Sequence, residues 1–556
     1  MADKLDVILC WHMHQPQYRS PLTGRYHQPW AYLHAIKDYC DMAWHLEQVP
    51  AARAVVNLTP ILVEQLDDYC AQFAAGEHRD PILRALATMD FGTSQERREL
   101  VESLFRSNQE RVIDRFAPYA ALQASYNAAA STGKPDFSDQ YIADLLVWYH
   151  LAWFGESVRQ HHPVVGELAQ KGEAFTAEDR LKVLALIEET IRGIVPRYRR
   201  LAERGQVELS TSPYAHPMMP LLIDLRCALE AMPDAPLPRA PKYPGGAERV
   251  RVHLEAAKRY HVDNFGVAAR GCWPSEGGIS DAAAAMLAQA GFAWTATGEG
   301  VLSHTLGAQN DTPAARHAYL YRPYDIHTAG GRIACFFRDD QLSDKIGFVY
   351  STWHADDATN NLLVDLEHIR EQTAEQESPV VSIILDGENA WEHYPENARY
   401  FLRALYEKLA THPHLRMTTF SDHLKANPPV SQLDHIVAGS WVYGTLSTWI
   451  GNPDKNLGWD ELIDAKRTYD EMVPNIEPAL ANRIEAHLRA CEGSDWFWWF
   501  GDYNPAQSVR EFDVLYRAHL HDLYAMLGKP APALLERVIS EGHGDPAHGG
   551  TMRRTS

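Results

Sequence analysis

Cysteine is sparse and unpatterned in this chain: seven residues are scattered from Cys10 to Cys491, an odd number without a CxxC pair. Such spacing disfavours a disulfide framework or a structural zinc site and fits a reducing, cytoplasmic environment. No stretch reaches the ~18 uninterrupted apolar residues of a membrane-spanning helix. The first residues, MADKLDVILCWHMHQP, do not read as a signal peptide, because one Lys and a short apolar run are followed at once by histidines. Basic residues are also short: 52 Lys and Arg stand against 73 Asp and Glu in 556 residues, a net charge of −21 at pH 7. A chain this acidic repels phosphate backbones and anionic lipid, which argues against nucleic-acid and membrane partners. Neither GxGxxG nor GxxxxGKS is present, so a nucleotide cofactor has no support, and HExxH is missing too.

Apolar and aromatic residues are plentiful. With 46% hydrophobic residues the chain can build a sizeable core, and 15 Trp, 25 Tyr and 17 Phe supply flat apolar faces beside polar edges, suited to core packing and to the stacking of sugar rings. Short β-branched runs read as buried strands at 6–11, 54–58, 207–210, near Cys272, 293–297, 333–337 and 380–385. They are separated by helical patterns such as 279–290 and 355–373. Strand, helix, strand predicts an α/β fold with parallel strands in an open or incomplete barrel. Residues 77–204 are patterned as a helical insertion, and 427–432 read as a boundary. The predicted organisation is a catalytic domain at 1–430, a helical domain at 431–530 and a poorly ordered tail at 531–556.

In parallel α/β architectures the reacting groups sit at the C-terminal ends of strands. Polar residues directly after the apolar runs are therefore the candidates: His12 and His14 after DVILCW, Glu208 in GQVELSTSPYAHP, Glu276 in GCWPSEGG, and Asp386 with Glu388 in SIILDGENAWEHY. Two carboxyls from different strands suit glycoside hydrolysis, one as nucleophile and one as proton donor; the same acids also suit ordinary loop caps. A metal-dependent hydrolase, such as a polysaccharide deacetylase, is the competing chemistry, since His12, His14, His216, Asp386 and His393 are possible ligands.

Taken in order, HMHQP at 12–16, GQVELSTSPYAHP at 205–217, GCWPSEGG at 271–278, LDGENAWEHY at 385–394 and EGSDWFWWFGD at 492–502 resemble the five motifs of glycoside hydrolase family 57, over roughly residues 5–528. The resemblance implies a (β/α)7 barrel, one unit short of a complete barrel, followed by an all-α domain closing over the cleft. It implies retaining cleavage or transfer at α-glucosidic bonds of an α-glucan, with neither a metal nor an organic cofactor. Glu276 then takes the nucleophile position and Asp386 the acid/base position, while His14, Glu208, Glu388, Trp391 and Asp495 fall where the family has substrate-contacting or supporting residues. WPSE, SPYAHP and GSDWFWW look most like amylase and amylopullulanase members, so hydrolysis of α-1,4 bonds, with α-1,6 bonds open, is expected ahead of glucanotransfer or branching.

The remaining candidates are His12 and Trp273, Tyr214 and His216, which lie between two prolines that also suit a stiff loop, and Trp496 and Trp499. At helical spacing Trp496, Trp499 and Phe500 share one face, turned either to the core or to the cleft. The side to which Glu388 turns is open, because Gly387 permits a departure from strand geometry; beside Asp386 it would raise the pKa of that acid.

Overall fold

The first strand, β1 (Leu5–Met13), is buried at all nine positions. Such a strand must be covered on both faces, as in parallel sheets flanked by helices. Its side chains alternate between two apolar clusters: Val7, Leu9, Trp11 and Met13 join the large helix-packed core. Ile8 and Cys10 join a smaller cluster with Val55, Trp273, Trp294, Phe336 and Phe420. The computed structural model describes residues 4–131, 137–308, 312–544 and 551–553. The other strands are β2 (Ala54–Leu58), β3 (Val207–Ser210), β4 (Gly271–Cys272), β5 (Trp294–Gly298), β6 (Tyr324–Thr328), β7 (Gly331–Arg338), β8 (Val380–Asp386), β9 (Leu415–Met417) and β10 (Ser431–Leu433).

β1 pairs in parallel with β2, β8 and β9, β2 with β3, β4 with β5, β5 with β7, and β7 with β8. A parallel bridge between Thr211 and Cys272 links the end of β3 to β4. The parallel pairings thus pass through β2, β3, β4, β5, β7 and β8 and return to β1. The fold is α/β, with a mostly parallel sheet and many helices. Three strands escaped the sequence reading. β6 runs antiparallel to β7 through a turn at Ala329 and Gly330, and β10 pairs with β6, so the sheet reaches into the segment read as a boundary. β9 and β10 have three residues each, too few for a pattern to register.

Among the described residues, 77–204 contain helices and no strand, ending in Ala177–Glu203, which opens on a capping box between Thr176 and Asp179. After β10 come Pro453–Met472, Pro478–Cys491, the short Asp495–Trp499 and Ala506–Met526. The described part of the segment expected to be a poorly ordered tail packs on these helices. Leu535 is buried, and Asp513 accepts hydrogen bonds from the backbone N–H groups of Ile539 and Ser540. Residues 545–550 and 554–556 of that segment lie outside the described residues. No helix of the described residues is long and apolar enough to cross a membrane.

Candidate active site

Strand register gathers the polar residues at one end of the sheet. His12 stands opposite Asn57 on β2 and Asp386 on β8, and Asn57 opposite Ser210 on β3. β1 stops at Met13 because Pro16, three residues on, has no N–H for a ladder. His14, two residues after His12, lies on the same side, as alternation along a strand requires, with the two rings stacked 5.9 Å apart. The imidazoles of His12 and His14 both stack on that of His216, with centroids 5.0 and 3.9 Å away. His12 bonds Asn57 Oδ1 at 2.7 Å through Nδ1. Burial, and then the neighbouring histidines, hold His216 far below its ordinary pKa and His12 at about 3, so both are neutral. His14 Nε2 donates to Asp495 Oδ1 at 2.8 Å.

Glu276 sits on a turn with φ 59° and ψ 23°, followed by Gly277 at φ 61°. A left-handed glutamate costs roughly 1–2 kcal/mol, a strain the surroundings must offset. They hold the residue at three points: Ser494 Oγ donates to Oε1 at 3.1 Å, Trp441 Nε1 to Oε2 at 3.2 Å, and the Trp441 backbone N–H to the Glu276 carbonyl at 3.1 Å. Burial, with Asp495 and Asp386 nearby, raises the Glu276 pKa to about 8. Asp386 accepts from Asn389 Nδ2 at 2.9 Å, and burial raises its pKa to about 6.

The chain leaves β8 at Gly387, where a Cβ would come within 2.9 Å of the Met13 side chain. Glu388, two residues past Asp386, lines the same cleft and accepts from the His14 backbone N–H at 3.3 Å. Its own pKa is pushed well up by burial and by Asp386, whereas the rise at Asp386 comes from burial. A cavity of about 90 Å³ brings together His12, His14, His216, Glu276, Asp386, Glu388, Asp495 and Trp499.

Five expected site residues stand elsewhere. Glu208 accepts from Trp294 Nε1 and from Ser421 inside the sheet, because its place on β3 turns it to the inner cluster. Tyr214 donates to Glu64 and lines a separate cavity. Trp273 is wholly buried below the site, edge-on to Trp441 at 5.2 Å. Trp391 is buried and donates to the Gly387 carbonyl, shaping the loop from behind. Trp496 packs against Tyr516 and His519 in the core. Trp498 and Trp499 line the cavity instead, since the helix is only five residues long and Phe500 already leaves it. Of the residues expected as metal ligands, His12, His14, His216 and Asp386 line the cavity and His393 does not. His393 is half-exposed beside Glu392, and His14, His216 and Asp495 place ligand atoms within 4.8 Å of one another. Two imidazoles and a carboxylate form a donor set that zinc accepts, but here His14 Nε2 is engaged with Asp495.

Sequence reasoning missed Trp441, Ser494, Asn389, Trp498 and Thr551. Ser494, Asn389 and Trp498 lie inside quoted motifs and were within reach. Trp441 carries no local signal, because it belongs to an irregular loop after β10.

A family model for glycosyl hydrolase family 57 matches residues 8–435. A branching enzyme of that family from Thermococcus kodakaraensis is 15% identical, with 94% of this chain and 90% of that one covered at a TM-score of 0.59. An α-amylase from Thermotoga maritima is 14% identical, with 96% of each chain covered at a TM-score of 0.55. A 4-α-glucanotransferase from Thermococcus litoralis is 12% identical, with 94% of this chain and 60% of that one covered at 0.53. These likenesses concern the fold. No protein of curated function matches the sequence.

Proposed function

Because the chain belongs to glycosyl hydrolase family 57, we propose that it is a retaining enzyme cleaving α-1,4-glucosidic bonds of starch- or glycogen-like glucans, with Glu276 as nucleophile, Asp386 as acid/base and water as the main acceptor. The observation that carries this reading is the meeting of the two carboxyls, from different strand ends, in one cavity with neutral imidazoles. The returning run of parallel pairings and its inner apolar cluster support an incomplete (β/α)7 barrel, and the helices from Pro453 onward support a helical domain closing the cleft. Seven free thiols fit a reducing, cytoplasmic compartment.

Attack on the anomeric carbon needs Glu276 ionised and Asp386 protonated. The hydrogen bonds favour that division, since Glu276 has a donor on each oxygen and Asp386 has Asn389 alone. The proton affinities run the other way, about 8 against about 6. The bound sugar must therefore tip the balance: positive charge growing at the anomeric carbon stabilises the Glu276 anion, and exclusion of water from Asp386 favours its neutral form. His14, His216, Glu388 and Asp495 are then positioned to bond sugar hydroxyls.

One observation favours a second reading. Trp441, Trp498 and Trp499 line the cavity, and aromatic walls suit a second glucan as acceptor, which would make the enzyme a 4-α-glucanotransferase or branching enzyme. Incubation with maltoheptaose tests the choice. Rising reducing ends with only shorter products are expected; a ladder of longer oligomers without new reducing ends overturns hydrolysis. Pullulan tests α-1,6 cleavage. Full activity after exhaustive chelation is expected, and loss restored by added zinc would favour the deacetylase-like alternative.

A further inference from the structure

Ser494 has no exposed surface and precedes the helix Asp495–Trp499. Its backbone is fixed at both groups: its N–H donates to the His216 carbonyl at 2.8 Å, and its carbonyl accepts from the N–H groups of Phe497 and Trp498. Pro217 and Gly493 form an antiparallel bridge beside it. The hydroxyl lies 3.0 Å from His216 Nδ1 and 3.1 Å from Glu276 Oε1. His216 is 1% exposed, and its Nε2 has no hydrogen-bond partner in the protein.

A neutral imidazole carries one N–H. With the proton on Nδ1, His216 donates to Ser494 Oγ, the serine hydrogen goes to Glu276, and Nε2 is left as a buried acceptor on a ring that lines the cavity. With the proton on Nε2, Nδ1 becomes an acceptor and competes with Glu276 for that same hydrogen. We propose that Ser494 is a positioning residue for Glu276, backed by His216, and that a sugar hydroxyl donating to His216 Nε2 locks the arrangement in which the serine hydrogen is committed to the nucleophile. This deepens the reading of Glu276 as nucleophile and rests on it. The charged or titratable groups facing Glu276 are Asp386 at the end of β8, Asp495 on the helix after Ser494, His216 after β3, His14 after β1, and Arg553 near the C-terminus.

The test compares Ser494→Ala and Ser494→Thr on maltoheptaose across pH. Ala removes a donor to the anion, so its kcat is expected to fall ~10–100-fold with KM changed less than about twofold, and the acidic limb of kcat/KM to move to higher pH. Thr restores the hydroxyl and is expected to recover most of the rate and the limb. His216→Asn, a residue that tolerates the left-handed φ of 58° there, is expected to be non-additive with Ser494→Ala. An unmoved acidic limb in Ser494→Ala, no rescue by Thr in a variant that melts like wild type, or strict additivity each overturns the proposal. Labelling by a mechanism-based glucoside, located by peptide mass spectrometry, separates the two levels. Label on Glu276 with an unmoved limb removes only the role of Ser494, whereas label on another residue removes the nucleophile assignment itself.

Discussion

Two groups of buried acids lie side by side in this molecule and have been treated in opposite ways. Behind the cleft, Glu492 is wholly buried, with Arg249 donating to both its oxygens at 2.7 and 2.9 Å, Tyr243 at 2.6 Å and His253 at 2.8 Å. Burial alone would raise its pKa, yet Arg249 and His253 hold it far below the usual carboxylate range. In the cleft, Glu276 and Asp386 receive only neutral donors, Ser494, Trp441 and Asn389, and their pKa values rise to about 8 and 6. A carboxylate that always carries charge is paired with a cation and serves as a structural tie. Carboxyls left without such a partner keep a proton within reach of neutral pH, which acid–base work on a substrate requires.

The sharpest way to break this contrast is Glu276→Gln, which keeps shape and removes the nucleophilic oxygen. Turnover of α-glucan is expected to fall by at least about 10³-fold, measured as reducing ends released, with the circular-dichroism spectrum unchanged. Residual activity within tenfold of wild type would contradict the nucleophile assignment.

Asp386→Asn should lose ~10²–10⁴-fold on polymer but much less on an aryl α-glucoside with a good leaving group, which needs little protonation. The same pair of substrates tests the proton order. If Glu276→Gln, and not Asp386→Asn, shows the leaving-group dependence, the two carboxyls have exchanged roles.

Glu492→Gln attacks the other region. Removing one partner of a buried, bonded pair costs about 3–5 kcal/mol, because Arg249 is left charged without its acceptor. The melting temperature should drop while kcat per folded molecule stays near wild type. The tie is also pH-dependent. A carboxylate with a lowered folded pKa contributes stability above its unfolded value and loses it as pH falls, so wild type should converge on the variant in acid.

The cleft has the reverse sign. Glu276 and Asp386 have raised folded pKa values, so their contribution is complete below about pH 4 and is lost as pH rises through about 6 and then about 8. Glu276→Gln should therefore match wild type in stability near pH 4 and exceed it at pH 8, by no more than about 5 kcal/mol. Thermal melts at the two pH values check this, and a gap that shrinks with rising pH would count against the assigned burial cost. The smallest effect is expected for Trp498→Ala, about a three- to tenfold rise in KM for maltoheptaose, with fewer transfer products if that wall holds the acceptor.

The sequence by itself determined the family, the α/β class and seven of the ten strands among the described residues, because each depends on local pattern, and it pointed to the two carboxyls that line one cavity. Short apolar runs mark strands, and polar residues at their ends mark the site. It also named Trp499 and Asp495, which line the same cavity. Only the tertiary structure decided which neighbours act with them. Glu208 and Trp273 sit in motifs beside residues that line the cavity, but their positions on β3 and just after β4 send them inward and down. Trp441 lies 165 residues from Glu276 in the chain and bonds it directly, and Ser494 reaches it over 218. Gly387 packs against Met13 between Asp386 and Glu388, a contact between strands that no local spacing encodes. The proton balance of the acids was decided there as well, since burial and the presence or absence of one guanidinium are properties of the packed molecule and not of any motif.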